Sequence, residues 1–233
     1  NLCSYKFNKD GAVLETLREY GIGEIAGVLF THHHRDQALC AIEAIERGAW
    51  IAAPEKERAL FEDVIKYWSD QIKRYHLYYF CPNFLLTEPL KISKALRDGD
   101  EIIWGAARIT AVSTPGHTDG SRSFLADIKD GKIAFCGDLV YDKGQVLEVY
   151  SLQKSFGPLT DYHGFMFAWK EAIKALDIYF NWEPKHLFPR MGNKNEPKEA
   201  VDLLEERFKR RALLLDCGSK EKSVAKVVSN SKG

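Results

Sequence analysis

The sequence predicts an α/β domain with helices packed on the faces of its sheets. Three observations predict it. Short apolar runs alternate along the chain with stretches that carry apolar residues at helical spacing. Two polar, histidine-bearing loops follow strand-like runs directly, which is where α/β proteins place their sites. Finally, 233 residues with 45% hydrophobic and 12% aromatic content can bury a substantial core.

The elements follow in order. Ala12–Tyr20 reads as a helix, stopped by Gly21 and Gly23. Ile25–Thr31 is a short, mostly apolar run after a turn, the pattern of a buried parallel strand. Asp36–Arg47 is helical by spacing and ends at Gly48, and Trp50–Ala53 is a second strand. Pro54 is expected to open a helix at its first turn, running to about Trp68. Tyr67–Phe80 is dense in aromatics and is expected to cover the core, with a substrate-pocket wall as the alternative.

Asp98-Gly99-Asp100 forms a turn, and Glu101–Trp104, Arg108–Thr114, Ser121–Ala126 and Lys132–Cys136 are strand-like. Asp130-Gly131 signals a hairpin between the last two. Asp161–Phe180 reads as an amphipathic helix, Lys185–Pro189 as a strand and Pro197–Leu215 as a helix. The expected division is one domain over residues 1–217 and a polar, lysine- and serine-rich tail over 218–233.

Charge and cysteine content narrow the function. Lysine plus arginine and aspartate plus glutamate both total 33, so the formal net charge is zero. That balance argues against a partner held by bulk electrostatics, whether nucleic acid or membrane surface, although a phosphodiester substrate remains open. A small-molecule substrate is the expected partner. No stretch is long and apolar enough to span a bilayer. The segment Asn1–Asp10 lacks the apolar core of a signal peptide. Five cysteines (Cys3, Cys40, Cys81, Cys136, Cys217) are odd in number, widely spaced and without a CxxC pair. That is no disulfide framework, and a cytoplasmic location is expected. Cys40 and Cys136 read as small core residues.

The strongest chemical signal is Thr31-His32-His33-His34-Arg35-Asp36-Gln37, lodged between a strand and a helix. Side chains alternate in extended backbone, so His32 and His34 can point the same way while His33 points away. Neutral imidazoles suit zinc and other borderline transition metals. The second signal is Thr114-Pro115-Gly116-His117-Thr118-Asp119-Gly120-Ser121, a sharp turn able to present His117 toward the first loop. The third is Cys136-Gly137-Asp138, a carboxylate at a strand end. Three histidines and one or two carboxylates at strand ends match a transition-metal site.

These motifs resemble the metallo-β-lactamase superfamily. Its pattern is T-H-x-H-x-D-H, then P-G-H-T-x-G-S, then G-D at a strand end, then a late P-x-H-G. The matching positions are Thr31 to Asp36, Pro115 to Ser121, Gly137-Asp138 and Pro189-Arg190-Met191-Gly192. The resemblance implies an αββα sandwich, two sheets with helices outside. It implies that His32, His34 and His117 hold a first metal and that Asp138 bridges to a second. Asp36 would bind the second metal or orient the nucleophilic water, and a carboxylate hydrogen-bonded to that water can act as its general base. Members of the superfamily hydrolyse lactams, thioesters, lactones and phosphodiesters, and some oxidise sulfur compounds with a single iron.

Two positions depart from the pattern, and both fall on the second metal. Gln37 and Met191 stand where the family has histidine. An amide oxygen is a weak ligand beside imidazole, and a thioether suits zinc poorly. One zinc per chain is therefore expected, with a weak or absent second site. Iron and manganese are the alternative metals. His33, Gln37, Tyr141, His163 and Met191 are the candidates to support the ligands or touch substrate. The short stretch before the first helix suggests that N-terminal strands were removed or that another chain supplies them, and homo-oligomerisation is one route.

The leading function is a metal-dependent hydrolase whose zinc lowers the pKa of a water to about 7. A non-catalytic, structural domain is the next alternative. A mononuclear iron oxygenase acting on sulfur compounds is the third.

Overall fold

A computed structural model of the chain describes residues 12–38, 41–66, 86, 88–139, 175, 177–179, 181–189 and 206. Side chains are described for most of these; those of Asp36, Gln37, Leu187 and Pro189 are among the exceptions.

Two sheets form the framework. The first is parallel, in the order β1 (Gly27–Leu29), β2 (Trp50–Pro54) and β3 (Lys94–Leu96). Parallel neighbours need a crossover, usually helical. Two short helices, α2 (Arg35–Ala38) and α3 (Ile42–Glu46), lie between β1 and β2. A 3-10 turn at Glu55–Glu57 and helix α4 (Arg58–Glu62) follow β2. Helix α1 (Ala12–Glu19) precedes the sheet.

The second sheet has the order β4 (Glu101–Trp104), β5 (Ala107–Ser113), β6 (Arg122–Ile128), β7 (Gly131–Gly137) and β8 (His186–Pro189). Its first four strands are antiparallel, and β8 joins β7 in parallel.

The layers follow from which way side chains point. On β2, Ile51 and Ala53 face one core cluster with Phe30, Ala38, Ala41, Phe61, Val64, Leu86 and Ile92. This cluster lies between the parallel sheet and helices α2 to α4, and the rings of Phe30 and Phe61 meet at 5.2 Å. Ala52, the residue between, faces the opposite way, as strand alternation requires. It joins Leu96, Ile102, Ala111 and Phe124 in a second cluster, which lies between the two sheets. On β6, Phe124 faces this inter-sheet core while its neighbour Ser123 bonds the Tyr179 hydroxyl on the far side. Helices, parallel sheet, mixed sheet and the helical segment around Tyr179 thus stack in that order. Arg122 to Ala126 are all buried, which fits a strand covered on both faces.

Close packing also restricts single positions. Gly27 pairs with Trp50 across β1 and β2, and a Cβ at Gly27 would fall on the Trp50 indole.

Two expectations meet the structure here. Within the stretch 36–47 the described residues form α2 and α3, on either side of residues 39 and 40, which lie outside the described ones; α2 starts directly off the histidine loop, with Ala38 N–H donating to His34 O at 3.2 Å. Pro54 stands one position before the helical turn rather than inside it, as the cap of the 3-10 turn Glu55–Glu57. It ends β2 with φ −56° and ψ 129°, an extended conformation that the proline ring favours equally. The expected helical stretch is present in pieces: the 3-10 turn Glu55–Glu57, α4 to Glu62 with its cap at Asp63, and helix again over 64–66, beyond which 67 and 68 lie outside the described residues. The predicted helices at 161–180 and 197–215 fall largely outside the described residues. So do the aromatic stretch 67–80, Cys3, Cys40, Cys81 and Cys217. Cys136 is buried, as expected of a core residue. Among the described residues, no helix is long and apolar enough to cross a membrane.

Candidate metal centre

Three strand ends deliver the site. Phe30 N–H donates to Ala52 O at 2.9 Å, ending the β1 ladder, and the chain then turns through Thr31 into the histidine run. Thr31 O accepts the Arg122 N–H at 2.9 Å, which fastens this loop to the start of β6. The loop between β5 and β6 closes on itself. Thr114 N–H donates to Ser121 O at 3.1 Å, and Thr118 N–H donates to Ser121 Oγ at 3.0 Å. At the end of β7, Gly137 takes φ +57°, a left-handed conformation that turns Asp138 back toward the loops.

His32, His34, His117 and Asp138 converge there, all buried, and one ligand-type atom from each lies within 4.8 Å of the others. His34 Nδ1 is 3.1 Å from His32 Nε2 and 3.0 Å from His117 Nε2. Asp138 Oδ2 is 3.7 Å from His32 Nε2 and 3.5 Å from His117 Nε2.

The donor set fits a metal ion. An imidazole nitrogen carries one proton or one lone pair, so His34 Nδ1 cannot bond well to both neighbouring nitrogens at once. A cation at the focus satisfies all three lone pairs and the carboxylate together. Ligand atoms about 2.0–2.1 Å from a shared ion at tetrahedral corners stand about 3.3–3.4 Å apart. The observed spacings bracket that value.

The surroundings prepare the ligands. His32 Nδ1 lies 3.0 Å from Thr31 Oγ1. Donation from Nδ1 to that hydroxyl leaves the lone pair on Nε2, facing the cluster, and sets the ring orientation. Thr31 also packs against Gly137, where a Cβ would stand 2.6 Å from Thr31 Oγ1. His33 points away from the cluster. Its N–H and its Nδ1 lie 2.7 and 2.9 Å from Glu57 Oε2. Glu57 Oε1 accepts from Thr118 Oγ1 and from Gly120 N–H at 3.2 Å. Burial alone would raise the Glu57 pKa, but the His33 ring and the hydrogen bonds from His33 and Thr118 outweigh it. The carboxyl is held below its ordinary value.

A second buried network backs the His117 loop. Thr114 Oγ1 and Ser123 Oγ are 2.7 Å apart, and Ser123 Oγ in turn bonds the Tyr179 hydroxyl. Burial, with Cys136 nearby, pushes the Tyr179 phenol well above its ordinary pKa despite bonds from Ser123 and Thr114. It stays a neutral hydroxyl.

Of the residues singled out from the sequence, His32, His34, His117 and Asp138 come together and His33 turns into the supporting shell. The side chains of Asp36 and Gln37 lie outside the described residues, as do Tyr141, His163 and Met191. Sequence reasoning missed Glu57, Ser123 and Tyr179. Glu57 stands in Glu55-Lys56-Glu57, which reads as a solvated charged turn, and no local signal marks it as buried.

Known proteins are similar to this chain in sequence and in fold. The sequence model described as Metallo-beta-lactamase superfamily matches residues 5–187. A hydroxyacylglutathione hydrolase of Neisseria meningitidis is 29% identical over 93 residues, spanning 37% of this chain and 37% of that enzyme. The chain thus matches little more than a third of that relative's length. Among solved structures, an archaeal metallo-beta-lactamase superfamily protein from Sulfolobus tokodaii is similar at TM-score 0.55 and 22% identity, covering 80% of this chain and 69% of that one. A class B3 di-zinc metallo-beta-lactamase from an Alaskan soil metagenome is similar at TM-score 0.58 and 20% identity, covering 85% and 78%. Identities this low speak for the fold alone. The family match extends over most of the chain and includes all four converging side chains, so the chain belongs to the metallo-beta-lactamase superfamily.

Proposed function

We propose that the chain is a zinc-dependent hydrolase with one well-formed metal site. The observation that carries this is the buried meeting of His32, His34, His117 and Asp138. Those four side chains would hold the ion, through His32 Nε2, His34 Nδ1, His117 Nε2 and Asp138 Oδ2. When bound, zinc polarises a substrate carbonyl and lowers the pKa of water to about 7.

The chain's own residues do the rest. Thr31 Oγ1, 3.0 Å from His32 Nδ1, orients the His32 ring with Nε2 toward the site. The loops around His33 and Thr118 keep the three imidazoles pre-arranged, so little reorganisation is needed on binding. Asp36 lies two residues beyond His34, in α2. We assign it the proton of the attacking water, as general base. Gln37 and Met191, in place of the family's histidines, support a single ion per chain with a weak or absent second site.

The favoured substrate class is a thioester. The support is the name shared by the curated relatives, hydroxyacylglutathione hydrolase. Water would add to the acyl carbon, the C–S bond would break, and a carboxylic acid and a thiol would leave. Charge balance supports a small-molecule substrate rather than nucleic acid or membrane, and the cysteine pattern supports a cytoplasmic setting. We take residues 1–217 as the catalytic domain and 218–233 as its tail.

Elemental analysis together with a hydrolysis panel tests this. About one zinc per chain is expected, with metal-dependent release of thiol from a hydroxyacylglutathione thioester. His32→Ala should abolish that turnover, and a surviving rate would show that the site is wrong. Iron with oxygen uptake would favour the oxygenase instead. Metal-free protein, inert toward thioester, ester and phosphodiester after zinc addition, would favour a structural role.

A further inference from the structure

We infer that Glu57 is a positioning residue that locks the two histidine loops into one metal-binding arrangement; this rests on the four-residue cluster being a metal site. The carboxylate divides its two oxygens between the loops. Oε2 takes the N–H of His33 at 2.7 Å and lies 2.9 Å from its Nδ1, and His33 sits between the ligands His32 and His34. Oε1 takes the Thr118 hydroxyl and the Gly120 N–H at 3.2 Å, immediately after the ligand His117. One planar group thus spans residues 24 positions away on one side and 61 and 63 positions away on the other.

The setting is built for this bracket. Glu57 is 2% exposed, and a buried carboxylate is tolerated only where hydrogen bonds replace its lost water. Here four donors converge on two oxygens. Gly120 lets the bracket close, because a Cβ there would fall on the Glu57 side chain. Helix α4 begins directly after Glu57, and its Phe61 packs against Phe30 at the foot of the first loop. The carboxylate therefore hangs from a fixed point of the core. The Thr31 O–Arg122 N–H bond joins the two loops at their base, and the Glu57 carboxylate joins them a second time beside the ligands, which bears on the distance from His117 to His34. Outer partners of this kind typically change metal affinity about 10–100-fold when removed.

The test compares wild type, Glu57→Gln, His32→Ala and the core trim Ile102→Val. Each metal-free protein is followed by amide hydrogen exchange and then titrated with Co2+, read by its visible d–d absorption. Glutamine keeps the shape but removes the charge that strengthens the bonds at both ends and replaces one acceptor oxygen with an NH2, so both ends of the bracket weaken. Glu57→Gln should lose exchange protection in residues 31–35 and 114–121 together. It should also weaken Co2+ binding about 10–100-fold with an altered d–d band. Ile102→Val should lower the urea midpoint while leaving affinity and band unchanged, which separates positioning from general loosening.

Unchanged Co2+ affinity and spectrum in Glu57→Gln would overturn the proposal, and so would protection lost in one loop only. Wild type that takes up no Co2+, or takes it up equally after His32→Ala, would sink the metal site itself. Coupled loss of protection in the metal-free protein would in that case still support Glu57 as the bracket between the loops.

Discussion

Substituting alanine at Gly137 should separate backbone strain from steric crowding at the metal centre. Gly137 has φ +57°, and its Cβ would stand 2.6 Å from Thr31 Oγ1 and 2.9 Å from Thr31 Cβ. A left-handed conformation costs a non-glycine residue about 1–2 kcal/mol. Forcing a methyl into filled space costs about 1–3 kcal/mol more. The sum is about 2–5 kcal/mol, slightly reduced because alanine also restricts the unfolded chain. Gly99→Ala is the control. Its φ is +81°, but a Cβ there meets nothing within 4 Å, so only the conformational cost of about 1–2 kcal/mol applies.

Urea denaturation of both variants measures the difference. With a slope of about 2 kcal/mol per molar, Gly137→Ala should lower the midpoint by about 1–2.5 M and Gly99→Ala by about 0.5–1 M. The crowding should also push Thr31 off the His32 Nδ1, so Gly137→Ala alone should weaken zinc binding about 10–100-fold. Equal midpoints in the two variants, or unchanged zinc affinity at Gly137→Ala, would refute the claim that Thr31 and the Gly137 turn are packed to aim His32 and Asp138.

Three further outcomes are expected. Glu57 has a lowered pKa in the folded state. Its contribution is therefore complete above the unfolded glutamate value of about 4.3 and lost as pH falls through the lower folded value. Glu57→Gln should flatten the acid side of the stability–pH curve, and an identical acid slope in both proteins would contradict this. Tyr179→Phe removes the phenol's buried hydrogen bonding to Ser123 and Thr114 but leaves the Thr114–Ser123 pair. It should cost about 1 kcal/mol, or about 2–4 °C in Tm, and no loss would show that the hydroxyl contributes nothing. Met191→His should raise affinity for a second metal ion, and unchanged stoichiometry at high zinc would speak against placing Met191 at the second site.

Particular residues show how far the chain could be read before folding. The i, i+2 spacing of His32 and His34 carries their shared direction, because extended backbone alternates its side chains, and the same alternation sends His33 the other way. Asp130-Gly131 and Asp98-Gly99-Asp100 carry their turns in residue type alone. Pro54 was ambiguous for a physical reason, since a φ near −60° serves the end of a strand as well as the first turn of a helix. Glu57 was illegible. Its charged neighbours Glu55, Lys56 and Arg58 look solvated, and its burial depends on loops that meet it from residues 33, 118 and 120.

By itself, then, the sequence determined the alternation of strands and helices and the donor types waiting at strand ends, because both are written in local spacing and residue chemistry. The tertiary structure alone decided that His117, 83 residues from His34, lies 3.0 Å from it, and that one buried carboxylate sits between their loops. Distances of that kind are set by how two sheets pack face to face. No local pattern encodes them, because the contacts that fix them are made only when the whole core closes.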